Sequence, residues 1–556
     1  TFISFVIDGV DDSSVKPAKF NLSYSDWGGY VPTVVTKSDT LPNGLSIRFP
    51  LTETAVSVDQ RGVSRLPETC MGAYELGCVN DTTFTTDTIY VGDKILGQTF
   101  TKVGVHDSIF ETLKSSLDCD SVVMHRVVVK PDPKTFNYYV KMDKEGRGDG
   151  SDWDNAMDST DFATYLPLAP DGATFYVAAG TYKPVYGVNL NVPSKTSDLC
   201  YAINSSVTIR GGYPADAKGK DVPSEPKKYE TIFDGDVNRD DVVDETLDKD
   251  GYPILERTKG EDNVKEMFLS LKQDDQNLTF DGIVVKNVTW EAINIVYSHK
   301  DVTLSNDSFV YNNIVFQMPS EDCSLNVSYT SFSKNTGRSI FVPSNTGFGV
   351  KNIKLNYVNF YSNIGDMLYT TRSAENMGSV DISNVIAKNN KGQFYIQRHH
   401  VNISNSIIEK CANLNSIFNI IGMGKDDYYN GIVNVSNSKF IANNGGYIFD
   451  VQIANTFNVD SCIFNGNKCE GRYLLNFYSG PEANDEYFII KNSQFISNST
   501  GGFVTSTQDS VYISNNEIAN NKSFSSNFLY SYCELSNNKV HDNESIDFYF
   551  VSASGV

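Results

Sequence analysis

Side-chain oxygens alternate along Asp234-Gly-Asp236-Val-Asn238-Arg-Asp240, and Glu245 follows where a calcium-binding loop closes. A hard cation needs several oxygens at short range, and Asp234, Asp236, Asn238, Asp240 and Glu245 would supply them. Such loops turn sharply at a glycine, and here that place is Arg239, with no helical pattern on either side. Calcium is therefore the one cofactor the sequence offers, and an acidic solvated loop is the competing reading.

Other chemistry-bearing residues are sparse. Arg147-Gly-Asp149 spells an integrin-type tripeptide. His399 and His400 are adjacent, and neighbours on a strand point to opposite faces, so they read as surface residues and not as a ligand pair. The nine cysteines contain no Cys-x-x-Cys pair and read as small buried hydrophobes. Cys70 with Cys78, or Cys462 with Cys469, would bridge in an oxidising compartment, and the odd count leaves a free thiol. Asn-x-Ser/Thr triplets, among them those at Asn204, Asn326, Asn434 and Asn498, follow from a composition rich in Asn and Ser.

Glycosidic hydrolysis needs two carboxylates at a set separation, one of them with a raised pKa. A polysaccharide lyase needs a base beside a cation-held uronate. Spacing along the chain displays neither constellation, so no catalytic residue is assigned. The non-catalytic reading is preferred, with a site assembled from remote segments left open.

One phrase recurs: alternating apolar residues, a Ser/Asn-rich bend, a bulky apolar residue, and an Asn three places later. Clean copies run Leu304 to Phe309 to Asn312, Val327 to Phe332 to Asn335, Leu355 to Phe360 to Asn363, Val435 to Phe440 to Asn443, Val459 to Phe464 to Asn467, and Ile490 to Phe495 to Asn498. Ile513 to Ile518 to Asn521 and Leu535 to Val540 to Asn543 keep the spacing with a smaller residue. Ile386 to Asn389 and Ile403 to Ile408 to Cys411 are degenerate copies.

Each copy reads as one coil of a solenoid. About 22 residues at roughly 3.3 Å each make a contour of about 70 Å, enough for three short sides. No stretch carries helical periodicity, so parallel pairing has to come from winding. Stacked coils bury the Phe, and Asn suits the corners because it tolerates left-handed backbone and its amides bond in ladders.

Composition agrees: 40 Gly, 31 Tyr and 33 Phe favour strands and turns. A formal charge of -22 without a Lys/Arg run excludes a basic face for nucleic acid or anionic lipid. No apolar run is long enough to cross a membrane as a helix, and a leader pattern is missing. The first residues read as a strand in mid-domain, so the sequence is expected to be a piece of a longer protein whose export signal and anchor lie elsewhere.

Ahead of the coils stand Asp149-Gly-Ser-Asp-Trp153, Asp171-Gly-Ala-Thr-Phe-Tyr-Val-Ala-Ala-Gly180, Val207-Thr-Ile-Arg-Gly-Gly-Tyr-Pro214, Thr231-Ile-Phe-Asp-Gly-Asp236 and Leu278-Thr-Phe-Asp-Gly-Ile. This order resembles the opening coils of bacterial right-handed parallel β-helix surface proteins, and the likeness covers about 132–556. Arg147-Gly-Asp149 then falls in a Gly/Asp-rich entry to the first coil. The Phe-x-x-Asn element is similar to that of the polymorphic membrane proteins, secreted adhesins whose companion Gly-Gly-Ala element is absent here; Gly445-Gly-Tyr and Gly501-Gly-Phe stand in its place.

Asp59-Gln-Arg-Gly62 with Met71-Gly-Ala-Tyr-Glu75 resembles the closing motif of another β-helix module, expected over 1–79. Ile89-Tyr-Val-Gly-Asp93 through Val127-Val-Val-Lys-Pro131 looks like a small β domain of Bacteroidota surface proteins, expected over 80–131. The expected whole is all-β: a right-handed parallel β-helix over 132–556 behind those two modules. What the resemblance implies is an extracellular or outer-membrane-associated chain without a catalytic role, an adhesin or structural stalk. Its partners would be a host or neighbouring-cell surface, a glycan or a matrix ligand. Carbohydrate binding or degradation by the solenoid face is the rival, mildly disfavoured because only Trp290 of three Trp lies near the coils.

Overall fold

The computed structural model describes residues 82–114, 120–271, 277–296, 301–318, 323–344, 349–372, 377–422, 431–478, 487–506, 510–524, 527–530, 533–545 and 549–550. The module expected over 1–79, with its motifs and Cys70 and Cys78, lies outside these residues. Thr82–Tyr90, Gly104–Lys114 and Asp120–Lys130 form a three-stranded sheet with the last of them in the middle. Two compact units result, one containing Thr82–Thr88 and Val105–Val128, the other Ile89–Gly104 and everything from Val129 onward.

From Asn137 the chain winds through three long sheets in rotation. The first sheet has 14 strands, from Asn137–Val140 to Cys533–Ser536; the second has 13, from Gly180–Tyr182 to Lys539–His541; the third has 15, beginning at Tyr201–Ile203. Neighbours in these sheets pair in parallel with their repeats in register: Phe309 opposes Phe332, Phe332 opposes Phe360, Phe440 opposes Phe464, and Phe464 opposes Phe495. A strand such as Ile432–Ser436 alternates exposed, buried, part-buried, so one face enters the core in every coil.

All six of those Phe are fully buried. Their rings stack along the axis at 5.3 Å for Phe309 on Phe332 and 4.7 Å for Phe464 on Phe495. No coil holds such a core alone, so each is stabilised by its neighbours.

Both corners of the second sheet follow one rule. A residue with positive φ turns the chain, and the next residue points inward and bonds to the adjoining coil. At the corner leading into the third sheet the turning residues include Tyr311, Lys334, Ser362, Asn389, Lys410, Ala442 and Ser497. The inward residues after them are Asn312, Asn335, Asn363, Asn390, Cys411, Asn443 and Asn498, all buried. The ladder Asn is therefore the residue after the left-handed one, while the left-handed backbone expected of corner Asn is taken at the corner from the first sheet into the second by Asn306, Asn384, Asn405, Asn437, Asn492, Asn515 and Asn537.

Each ladder Asn accepts from the backbone N–H of its predecessor, as with Asn335 N–H to Asn363 Oδ1 at 3.0 Å, and its amide donates one coil back, Asn363 Nδ2 to Phe332 O at 2.9 Å. Cys411 takes the Asn place as expected, receiving Asn390 Nδ2 at a long 3.7 Å. The copy read as Ile386 to Asn389 is one residue out of register. Ile386 is 39% exposed, while Ala387 and Asn390 are buried; strand alternation makes such a slip swap the faces.

The corner from the first sheet into the second carries hydroxyls. Thr330, Ser406, Ser438 and Ser493 each donate to the carbonyl two residues back, at 2.7 to 2.9 Å. Asp307 holds the equivalent place, accepting Ile283 N–H at 3.0 Å on Oδ1 while Oδ2 has no partner. Burial raises its pKa well above the usual carboxylate range.

Two excursions depart from the coil pattern. The helix Ser159–Tyr165, capped by Asp158, buries Phe162 and Ala163 over the open end of the first coil, with Phe162 5.3 Å from both Phe175 and Tyr201. The sequence indicated no helix, because two turns are too short to display a period. Val242–Leu247 and Pro253–Thr258 form an antiparallel hairpin between the second-sheet strand Thr231–Asp234 and the third-sheet strand Glu266–Ser270.

Candidate functional site

The five residues read as a calcium loop part company in the structure. Asp236 and Asp240 come together with Asp241, their ligand oxygens within 4.8 Å of one another. Asp234 instead meets Lys286 Nζ at 3.3 Å and Asn287 Nδ2 at 2.8 Å. Asn238 donates its amide to Asp262. Glu245 lies on the hairpin, held by Lys334 at 2.8 Å and by the Tyr311 hydroxyl.

The group that does form is engaged only in part, with Asp240 Oδ1 and Asp241 Oδ1 buried and without a hydrogen-bond partner. Asp236 accepts the N–H groups of Arg239, Asp240 and Asp241. Asp240 faces Lys259 at 3.7 Å, and Asp241 takes Asn263 Nδ2 at 2.6 Å and faces Arg257 at 3.5 Å. With Asp248 on Lys391 at 3.2 Å, these pairs strap the hairpin along the coils.

Other expected features resolve simply. Arg147 pairs with its own Asp149 at 2.7 Å. His399 is not a surface residue: it is 1% exposed, its ring nitrogens lie 2.8 and 3.0 Å from the carbonyls of Gln397 and Val350, and burial pushes its pKa down to about 4. The alternation that separates it from His400 is the one that turns it into the core. Cys462 and Cys469 are both buried and free, so no bridge joins them.

The outward face of the third sheet gathers what spacing along the chain did not reveal. In successive coils the inward residues Ile293, Phe316, Ile340, Leu368, Phe394, Phe418 and Phe449 are each followed by one on the opposite face: Asn294, Gln317, Phe341, Tyr369, Tyr395, Asn419 and Asp450. Parallel register aligns these into a row that continues to Asn476. From Asn294 to Asn476 it runs roughly 34 Å at about 4.8 Å per coil.

Its middle is aromatic and part-exposed. Tyr369 and Tyr395 stack at 4.7 Å with planes 12° apart, and Phe341 lies 5.4 Å from Tyr369. The Arg338 guanidinium sits over Phe341 at 4.4 Å and over Tyr369 at 4.2 Å, steadied by Asp366 at 3.4 Å. Beyond Tyr395 the row turns polar, and Asp450 accepts Asn476 Nδ2 at 2.7 Å and Gln452 Nε2 at 2.9 Å.

At the other end two carboxylates face each other in register, Glu266 and Glu291 on adjacent parallel strands. Asn294 Nδ2 donates to Glu266 Oε1 at 2.7 Å. Glu291 is 9% exposed and its Oε2 has no hydrogen-bond partner; nor has Asn294 Oδ1. Burial first, then the neighbouring Glu266, lifts the Glu291 pKa to about 7. Lys265 does not neutralise the pair, since its Nζ goes to Asp198 at 2.8 Å.

Sequence reasoning missed this pair, although a signal was present. Glu266-Met-Phe-Leu and Glu291-Ala-Ile-Asn place Glu two residues before an inward side chain in consecutive coils. Both precede Val302, where the clean repeats begin.

Three parallel sheets wound by one chain around a stacked core define a right-handed parallel β-helix. No protein-family model matches the chain, and no curated protein matches it. Among solved structures it is similar to the Azotobacter vinelandii mannuronan C-5 epimerase AlgE6 A-module, at 12% identity over 70% of this chain and 96% of that one, TM-score 0.30. It is also similar to the family 28 exopolygalacturonase of Yersinia enterocolitica, at 10% identity over 82% and 85%, TM-score 0.23. The catalytic domain of a GH87 alpha-1,3-glucanase gives 8% identity over 75% and 66%, TM-score 0.24. None of these values supports a transfer of activity.

Proposed function

We propose that this chain is a secreted or surface-displayed solenoid that binds a neutral, linear polysaccharide along the outward face of its third sheet. The observation that carries the reading is the row Phe341, Tyr369, Tyr395 continuing in register into Asn419, Asp450 and Asn476. With Tyr369 and Tyr395 stacked on each other and Arg338 over Tyr369 and Phe341, the row offers ring edges and phenol hydroxyls to a sugar chain, and amides and carboxylates bond its hydroxyls. A repeat of about 4.8 Å per coil sets these groups at intervals comparable to one sugar unit, so weak contacts add along an extended chain.

Charge favours a neutral ligand. The chain carries -22, and the carboxylates of Glu266 and Asp450 lie on this sheet, so a polyuronate would meet like charge. The extracellular setting is supported by the resemblance of the coil motifs to secreted β-helical proteins. Adhesion to a glycan-bearing surface follows from such binding.

The test is an array of neutral and uronate polysaccharides probed with the full chain and with a Tyr369→Ala/Tyr395→Ala variant. Retention on neutral glycans, weakened at least tenfold in the variant, is expected. Equal binding by both proteins would overturn the assignment of the face, and binding to nothing would leave a passive stalk.

A further inference from the structure

We infer that Glu291 and Glu266 form a general-acid and nucleophile pair that hydrolyses a glycosidic bond of the polysaccharide held along the third sheet, an inference that rests on the binding reading above. Cα partners on adjacent parallel strands lie about 4.8 Å apart, and two side chains leaving the same face in register keep a similar spacing. That is close to the roughly 5 Å between the carboxyl groups of a retaining glycosidase.

A pair of acids alone would be a solvated or structural feature. Here Asn294, 8% exposed, donates to Glu266 while its own Oδ1 is unpartnered, and Glu291 Oε2 is unpartnered as well. Two buried side-chain oxygens without partners at one spot are unusual in a folded protein, and sugar hydroxyls, which both donate and accept, would satisfy them. Asn294 also begins the row that leads through Gln317 to Phe341 and Tyr369, so a chain lying on the rings runs onto the pair. Trp290, 57% exposed, directly precedes Glu291 in the chain.

The two environments divide the labour. Glu291, its pKa lifted to about 7 by burial and by the neighbouring Glu266, is the proton holder, while Glu266 accepts the Asn294 amide on Oε1 and offers its other oxygen as the nucleophile. In the first step a Glu266 oxygen bonds to the anomeric carbon as the glycosidic C–O bond breaks, and the Glu291 proton passes to the departing oxygen. In the second step Glu291 takes a proton from water, the water oxygen bonds to the anomeric carbon, and the ester bond to Glu266 breaks. One water is consumed per bond, and both carboxyl groups return to their starting states.

The experiment measures reducing ends released from a panel of neutral polysaccharides and, in parallel, binding to the same panel. Wild-type, Glu291→Gln and Glu266→Gln full chains are compared, each checked for native circular dichroism. Release by the wild type is expected to fall at least roughly 100-fold in either variant while binding persists, and to decline as pH rises through about 7. Azide is expected to restore turnover to a Glu266→Ala chain as glycosyl azide. Binding without release, or release unchanged by both variants, would overturn the pair and leave the binding reading standing. Loss of both binding and release in the wild type would overturn the two readings together.

Discussion

Replacing Asn467 by Ala removes one rung from the amide ladder, and the cost follows from what each partner loses. The Asn467 amide donates to Phe440 O at 2.8 Å and to Asn498 Oδ1 at 2.9 Å. Its oxygen accepts Asn443 N–H and Asn443 Nδ2, both at 3.0 Å. Two of these partners keep a second bond: Asn498 Oδ1 still receives Asn467 N–H at 3.0 Å, and Asn443 Nδ2 still reaches Ile408 O at 2.9 Å.

The losses therefore centre on the buried Asn443 N–H and on Phe440 O. Stranding a buried group costs about 1 to 3 kcal/mol, and the space left by the amide adds to it, so about 4 kcal/mol is expected for Asn467→Ala. Asn465→Ala, on the exposed face of the same coil, is the control and belongs within about 0.5 kcal/mol of wild type. Urea denaturation followed by circular dichroism measures both. Because stacked coils need not unfold as one unit, hydrogen exchange at Phe440, Asn443 and Asn498 reports the local loss. An Asn467→Ala chain within about 1 kcal/mol of the control would refute the ladder as a major source of stability.

The remaining expectations concern the irregular rungs and the hairpin. Cys411→Asn replaces a weak thiol contact with the amide found in the neighbouring coils and is expected to stabilise by about 1 kcal/mol in the same assay. Asp307 has a raised folded pKa, so its contribution is complete below the ordinary carboxylate value and is lost as pH rises through the folded one. Asp307→Asn cannot ionise, so its thermal midpoint is expected to exceed that of wild type increasingly toward alkaline pH; parallel curves would contradict this. Millimolar calcium is expected to leave the midpoint unchanged, since Arg257 and Lys259 already face Asp241 and Asp240. A rise reversed by chelator would instead support calcium at Asp236, Asp240 and Asp241.

The repeat was legible because strand alternation and corner spacing are local. Phe440 and Asn443 lie three residues apart, and no long-range knowledge is needed to bury both. Where the pattern thins, spacing no longer fixes the register: the degenerate copy Ile386 to Asn389 is one residue off, because corner geometry and not side-chain volume sends Ala387 and Asn390 inward. Spacing along the chain did not display the partners of Glu245, which lies on the hairpin, a local antiparallel pairing, and is held there by Lys334 and Tyr311. His399 was misplaced because two adjacent polar residues do not reveal which of them takes the inward face.

The acid pair and the aromatic row were hidden for a different reason. Residues that touch across coils, such as Tyr369 and Tyr395, are 26 apart in the chain. Their alignment depends on the length of every intervening loop. Tyr and Glu on an outward face also look like ordinary surface residues until register brings them together.

Hydrogen exchange of the full chain with and without a bound neutral oligosaccharide tests the central claim most directly. Protection confined to the third sheet, over its strands from Glu266–Ser270 and Glu291–Ile295 through Leu368–Thr370, Phe394–Gln397 and Ala412–Ile421 to Lys468–Tyr478, is predicted. Protection instead at the exposed, stacked Tyr329 and Tyr357 of the first corner, or along the second sheet, would contradict it.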